Sequence, residues 1–144
     1  MIDYQQWFRQ ATGAEAPHQW QEDLAQEPIC KNRLIRIPTG MGKTLGVLGA
    51  WIYNRLVRQD DSWPRRLVWC LPMRVLTEQT AAVARNTLDQ IGMAHVPVHI
   101  LMGGEDVGDW HLYPEKEALL VGTQDMLLSR ALNRGYACGR ARWP

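Results

Sequence analysis

Short apolar runs alternate along the chain with stretches whose apolar residues recur at helical spacing. The apolar runs predict β-strands at residues 34–37, 66–71, 96–102 and 118–121. The periodic stretches predict helices at residues 44–58, 73–90 and 124–133. Because strands that alternate with helices form parallel βαβ units, the pattern predicts an α/β fold in which helices cover both faces of a parallel sheet.

Three details refine this prediction. The run at 66–71 is nearly all apolar, which is typical of a strand buried on both faces. Gly135 is expected to end the last helix. Two short helical segments, at residues 4–10 and 19–26, precede the first strand.

Composition places the chain among globular proteins. Its 144 residues suit one domain, and 46% hydrophobic with 22% charged residues excludes a disordered tail. The net charge of +1 excludes a polycation that coats nucleic acid or membranes. The 13 Arg against 3 Lys fit either phosphate contacts or a GC-rich genome.

The cysteines and the hydropathy bear on location. Cys30, Cys70 and Cys138 are odd in number and lack C-x-x-C spacing, which argues against a zinc site or disulfide framework and favours a reducing cytoplasm. The N-terminus has neither the basic nor the apolar region of a signal peptide. No apolar stretch approaches the roughly 20 residues that span a bilayer, so no membrane association is expected.

The stretch Ile-Pro-Thr-Gly-Met-Gly-Lys-Thr, residues 37–44, has the sequence of a phosphate-binding loop between a predicted strand and a predicted helix. Gly40 and Gly42 would let the backbone amides approach phosphate oxygens. Lys43 would supply charge to the β- and γ-phosphates, and the Thr44 hydroxyl would ligate Mg²⁺. The strand-loop-helix context disfavours a chance glycine-rich turn. Ile37 occupies the position of the first glycine of the full pattern.

Residues 37–44 resemble motif I of superfamily 2, or DEAD/DEAH-like, helicases. Other stretches resemble further helicase motifs and follow in the same order along the chain. Residues 71–79 (LPMRVLTEQ) resemble motif Ia, Gly103 and Gly104 resemble the paired glycines, and residues 121–125 (VGTQD) resemble motif Ib. Upstream, residues 17–21 (PHQWQ) are similar to the adenine-reading Q motif. The resemblance implies a RecA-like P-loop domain that uses ATP and Mg²⁺.

The resemblance also assigns roles to positions. Lys43 and Thr44 would be catalytic, and the nucleotide would be bound by Gln21, Thr39, Gly40, Met41, Gly42, Lys43 and Thr44. Gln21 would read adenine, although a solvated glutamine on a helix surface is the alternative. Nucleic acid would be bound by Pro72, Arg74, Gln79, Gly103, Gly104 and Thr123. For Arg74 an exposed arginine at a helix start is the alternative, and for Thr123 an ordinary helix cap.

The amino-acid sequence of several stretches is more similar to one branch of this superfamily, the helicase-nuclease of type I CRISPR interference. These stretches include residues 101–106 (LMGGED) and 122–136 (GTQDMLLSRALNRGY). This resemblance implies a partner that is single-stranded DNA, or RNA, and a CRISPR effector complex. None of the expected contacts reads a base edge, so binding would be independent of sequence.

After Thr123 the sequence has no Asp-Glu pair of the kind that holds Mg²⁺ in helicases. We therefore expect a helical lead-in with the Q-like motif at residues 1–30 and a first RecA-like domain at 31–144 that is incomplete at its C-terminus. Three alternatives remain: a general DEAD-box-like helicase, a non-catalytic nucleotide-binding fragment, and a small P-loop kinase or GTPase. The last lacks an Asn-Lys-x-Asp base-recognition motif.

Overall fold

The computed structural model describes residues 2–101 and 115–131, and the side chains of these residues up to 128. The backbone forms two compact units, each described here by itself. We call the first, Met1–Pro64 with Thr87–Met93, the helical unit. We call the second, Arg65–Asn86 with Ala94–Pro144, the sheet unit.

The helical unit begins with an amphipathic helix, α1 (Tyr4–Thr12), capped by the Asp3 carboxylate, which accepts a bond from the Gln6 amide at 2.8 Å. Its buried residues Tyr4, Trp7, Phe8 and Ala11 follow helical spacing. The Tyr4 ring meets the Tyr53 ring edge-on at a centroid distance of 5.1 Å. Helices α2 (Gln19–Ala25) and α3 (Lys43–Trp51) also lie wholly in this unit.

The helix predicted over 44–58 changes its winding partway. After α3 the backbone continues as a π-helical turn, Ile52–Val57, in which Arg58 N–H bonds to the Tyr53 carbonyl five residues back. Asn54 is buried inside this turn and its amide donates to the carbonyls of Ala50 and Ala25, at 2.9 and 2.7 Å. The contact with Ala25 ties the π-helical turn to the end of α2. Turns of this kind are rare and widen a helix locally.

The strand predicted at 34–37 is wrong. The structure assigns no strand to these residues, and Leu34 is 85% exposed. A strand exists only through hydrogen bonds to a neighbour, and in the described part of the chain this segment has no ladder partner. Its apolar residues alone therefore do not make it a strand.

Among its described residues, the sheet unit contains three parallel strands, β1 (Arg66–Leu71), β2 (Val98–Leu101) and β3 (Ala118–Thr123), in the order β1-β3-β2. Two helices follow strands: α4 (Arg74–Gln90) after β1 and α5 (Gln124–Ala131) after β3. Leu101, Leu120 and Met126 form a buried cluster, and Leu127 packs against it. The predicted α/β class with a parallel sheet is confirmed.

The prediction that β1 is buried on both faces is wrong. Val68 is 54% exposed and Cys70 is also exposed, whereas Leu67, Trp69 and Leu71 are half-buried. This alternation follows the pleat, so one face of β1 is open. Among the described strands β1 pairs only with β3 and therefore lies at an edge of the sheet. The expectation that Gly135 ends α5 concerns a residue outside the described ranges.

In the described ranges, no helix combines the length and the apolar character that crossing a membrane requires.

Candidate functional site

The phosphate-binding loop predicted from sequence lies in the helical unit, directly before α3. Gly40 and Gly42 have φ angles of +88° and +72°, in the left-handed region that favours glycine. Gly42 is the N-cap residue of α3, so the loop opens onto the N-terminus of that helix. Backbone N–H groups at a helix N-terminus lack intrahelical partners and can bind an anion.

Helix α2 holds this loop through Gln21, which is only 2% exposed. The Gln21 Nε2 atom donates to the Gly42 carbonyl at 2.8 Å. The Gln21 Oε1 atom accepts from the backbone N–H of His18 at 2.7 Å, at the first turn of α2. Both ends of this side-chain amide are therefore bonded to backbone, and a solvated glutamine, the alternative considered for Gln21, is excluded.

A second side chain of α2 reaches the same loop. The indole Nε1 of Trp20 donates to the Met41 carbonyl at 3.0 Å. The Trp20 ring covers Gly46, where an added methyl group would overlap the ring. At Gly42 an added methyl group would lie 2.5 Å from Gln21 Nε2. Both glycines thus permit the close approach of α2.

The outer side of the loop is open to solvent. Lys43, the first residue of α3, is exposed, as are Thr39 and Gly40, and Thr44 is half-buried. A methyl group built on Gly40 would meet nothing within 4 Å. The loop therefore presents an exposed ammonium group beside a helix N-terminus, with room for a ligand above the glycine.

The described residues among the predicted nucleic-acid contacts all belong to the sheet unit. β1 and β3 are parallel and Leu71 is the register partner of Thr123, so both strands end at the same edge. Pro72 directly follows β1, Arg74 begins α4, and Thr123 ends β3 directly before α5. In parallel α/β sheets, ligands bind outside the carboxyl ends of the strands.

Exposure at this carboxyl edge is uneven. Pro72, Arg74 and Gln79 are exposed, and Thr123 is half-buried. The predicted contacts Gly103 and Gly104 lie outside the described residues. Leu101, two residues before Gly103 in the sequence, ends β2 and is the register partner of Gly122 in β3.

Sequence reasoning missed three residues that shape these regions. Trp20 and Gly46 form the contact described above, and Gly122 lets β3 approach β2, because a methyl group there would lie 2.9 Å from the Leu101 carbonyl oxygen. A glycine inside a helix or strand is a readable signal, since it weakens the element unless a close approach requires it. The neighbour that requires it is not readable from the sequence.

Comparisons with known proteins identify the family. A search of curated protein sequences gives no match to the chain. The family model described as DEAD/DEAH box helicase matches residues 18–142. The matched range includes the phosphate-binding loop and the carboxyl edge of the sheet. It also confirms the resemblance to superfamily 2 helicases. The chain belongs to the DEAD/DEAH box helicase family.

Proposed function

We propose that the chain carries the ATP-binding and nucleic-acid-binding motifs of an ATP-dependent helicase or translocase that acts on single-stranded DNA in CRISPR antiviral defence. The family membership supports helicase activity and the use of ATP. The observation that carries the ATP site is the loop itself. Its left-handed glycines, exposed Lys43 and helix N-terminus together suit a polyphosphate.

The roles at this site follow from residue chemistry. Lys43 would contact the β- and γ-phosphates, and the amides of Gly40–Thr44 would surround them. The Thr44 hydroxyl would hold Mg²⁺, which neutralises charge on the phosphates when it is bound. Thr39 and Met41 would border the nucleotide.

Gln21 would contact adenine in addition to holding the loop. A side-chain amide has two N–H donors and two acceptor lone pairs. The bonds to Gly42 and His18 use one of each. An adenine edge offers one acceptor and one donor side by side. Because Gln21 is only 2% exposed, adenine would reach the remaining donor and lone pair only after a local shift of the loop or of α2.

Nucleic acid would bind at the carboxyl edge of the sheet. Arg74 would contact a backbone phosphate through its planar guanidinium, with Pro72, Gln79 and Thr123 beside it. Gly103 and Gly104, which follow β2 in the sequence, would let the nucleic-acid strand approach closely. Contacts of this kind do not read base edges, so single strands of any sequence would bind.

The proposed CRISPR role rests on the amino-acid sequence of the motifs. This role predicts that the protein binds a CRISPR effector complex. A CRISPR effector complex displaces one DNA strand when its guide pairs with the other. We expect the protein to bind an effector complex that holds such a displaced strand more tightly than the same complex without target DNA. Native gels with both forms measure this. Equal binding would leave a general DEAD/DEAH helicase as the function.

The ATP site is tested by titrating the chain with a fluorescent ATP analogue in the presence of Mg²⁺. We expect Lys43→Ala to weaken binding at least tenfold, because it removes a charge-assisted contact worth about 1.5–3 kcal/mol. The far-UV circular dichroism should stay unchanged, since Lys43 is exposed. Equal affinity for the wild type and the folded variant would refute the assignment. Competition by ATP but not by GTP would support the adenine role of Gln21.

A further inference from the structure

We infer that Trp20 is a positioning residue of the phosphate-binding loop: its indole N–H fixes the orientation of the peptide unit between Met41 and Gly42. This inference rests on the proposed ATP site and adds a residue to it. The observation behind it is the 3.0 Å bond from Trp20 Nε1 to the Met41 carbonyl oxygen.

The geometry of the peptide group connects this bond to anion binding. In a trans peptide the C=O and the following N–H point in opposite directions, and every described peptide bond is trans. When Trp20 holds the Met41 carbonyl toward α2, the N–H of Gly42 must point away from α2. Gln21 does the same for the next peptide unit, because it bonds the Gly42 carbonyl and so directs the N–H of Lys43 outward.

Two consecutive carbonyls of the loop are therefore held by two consecutive side chains of α2. These two bonds leave the amides of Gly42 and Lys43, at the start of α3, pointing outward. Without the indole bond, the Met41–Gly42 peptide could rotate, since glycine adopts many backbone conformations. A rotated peptide would turn a carbonyl oxygen toward the anion, and the two would repel each other.

The packing around Trp20 supports a fixed indole. The ring lies over Gly46 of α3, at a position where no other residue type fits without displacing it. Because Gly46 N–H bonds to the Gly42 carbonyl at 2.8 Å, the surface under the ring belongs to the same first turn that carries the loop. Helix α3 thus fixes the orientation of the indole, and the indole in turn holds the loop at the N-terminus of α3.

The test is Trp20→Phe, which keeps an aromatic ring and removes the N–H. Binding of ATP, of inorganic pyrophosphate and of adenosine is measured by competition against the fluorescent ATP analogue. We expect ATP and pyrophosphate to lose affinity by the same factor, about threefold to tenfold, as for one hydrogen bond. Adenosine binding should not change, because the peptide unit contacts phosphate only.

Trp51→Phe is the matched control. It also removes an indole N–H that donates to a backbone carbonyl in the helical unit, that of Pro64 at 2.8 Å, but Trp51 is the last residue of α3, whereas the loop precedes the first. We expect it to leave pyrophosphate affinity unchanged. An equal loss in both variants, an unchanged affinity in Trp20→Phe, or a loss that includes adenosine would each overturn the inference. Failure of the wild-type chain to bind any of the three would instead refute the proposed ATP site.

A second variant tests the same bond without removing the indole. Gly46→Ala should displace the Trp20 ring, and its methyl group would also lie 2.9 Å from Gln21 Cγ, so the loss of pyrophosphate affinity should be at least as large as in Trp20→Phe. It serves as the main variant if Trp20→Phe does not fold. In the double variant with Trp20→Phe, the loss should be smaller than the sum of the two single losses, because both variants act on the Trp20 contact. Full additivity would mean that Gly46 and Trp20 act separately, which contradicts the inference.

Discussion

Replacing Gly42 by alanine tests how closely α2 holds the phosphate-binding loop. Gly42 has a φ angle of +72°, and its Cα faces Gln21. A methyl group there would stand 2.5 Å from Gln21 Nε2, which is too close for an unchanged side chain. Gln21 cannot simply swing outward, because it is buried and bonded at both ends of its amide.

The expected cost has two parts. A left-handed conformation costs a residue with a Cβ roughly 1–2 kcal/mol. Displacing Gln21 breaks its bond to the Gly42 carbonyl, for about 1 kcal/mol more. We therefore expect Gly42→Ala to lower the free energy of unfolding by about 2–3 kcal/mol. Gly40→Ala is the matched control, because its φ of +88° carries the same backbone cost and a methyl group there would meet nothing within 4 Å.

The assay is urea unfolding followed by tryptophan fluorescence, which reports mainly on the helical unit because Trp7, Trp20, Trp51 and Trp63 lie there. Gly42→Ala should be less stable than Gly40→Ala by about 1 kcal/mol. In a Gln21→Ala background this difference should vanish, since the clash is gone. Equal stability of the two single variants would refute the close contact between Gln21 and the loop.

Four further predictions concern other parts of the chain. Arg74→Ala should weaken binding of every single-stranded sequence by a similar factor, and the slope of log affinity against log salt concentration should become shallower by about 0.7, as for one phosphate contact. A loss confined to one sequence would contradict this role. Gly122→Ala should destabilise the sheet unit by about 1–3 kcal/mol in thermal unfolding, since the methyl group would press on the Leu101 backbone. Burial, and secondarily the charge of Glu22, raise the pKa of Tyr4 well above its usual value. The stability that comes from its neutral form is therefore complete below about pH 10 and is lost at higher pH, and Tyr4→Phe should remove that alkaline loss. Any DNA-stimulated ATP hydrolysis by the chain should be absent from Lys43→Ala, and hydrolysis that persists in the folded variant would contradict the role of Lys43.

Much of the fold could be predicted from the order of apolar runs. The residues of β1 were predicted as Arg66–Leu71, and β3 was predicted to within two residues of its end at Thr123. These strands are short apolar runs bounded by polar or turn residues, which is the pattern that strands in a parallel sheet produce. The helices were predictable for the same reason, since their apolar residues recur with helical spacing.

The parts that failed depend on distant contacts. The run at 34–37 has strand-forming residues, but a strand also needs a neighbouring strand to pair with, and the residue types of the run do not show whether one is there. The π-helical turn contains the buried Asn54, whose amide bonds a carbonyl 29 residues earlier in the sequence. Neither contact leaves a periodic signal.

The candidate site shows the same division. The phosphate-binding loop was predicted from the types and spacing of its residues, because the chemistry of phosphate binding restricts them. The way α2 holds the loop was not predicted. The bonds from Trp20 and Gln21 each cross 21 residues, and many side chains could have formed them.

The most direct test of the ATP site is the amide NMR spectrum of the ¹⁵N-labelled chain with and without ATP and Mg²⁺. The account predicts that the largest shifts fall on the amides of Gly42 and Lys43, and that inorganic pyrophosphate reproduces them. Lys43→Ala should weaken the response at Gly42. If ATP shifts no amide of residues 40–44, or only amides of the sheet unit, then this loop does not bind the nucleotide and the central claim is wrong.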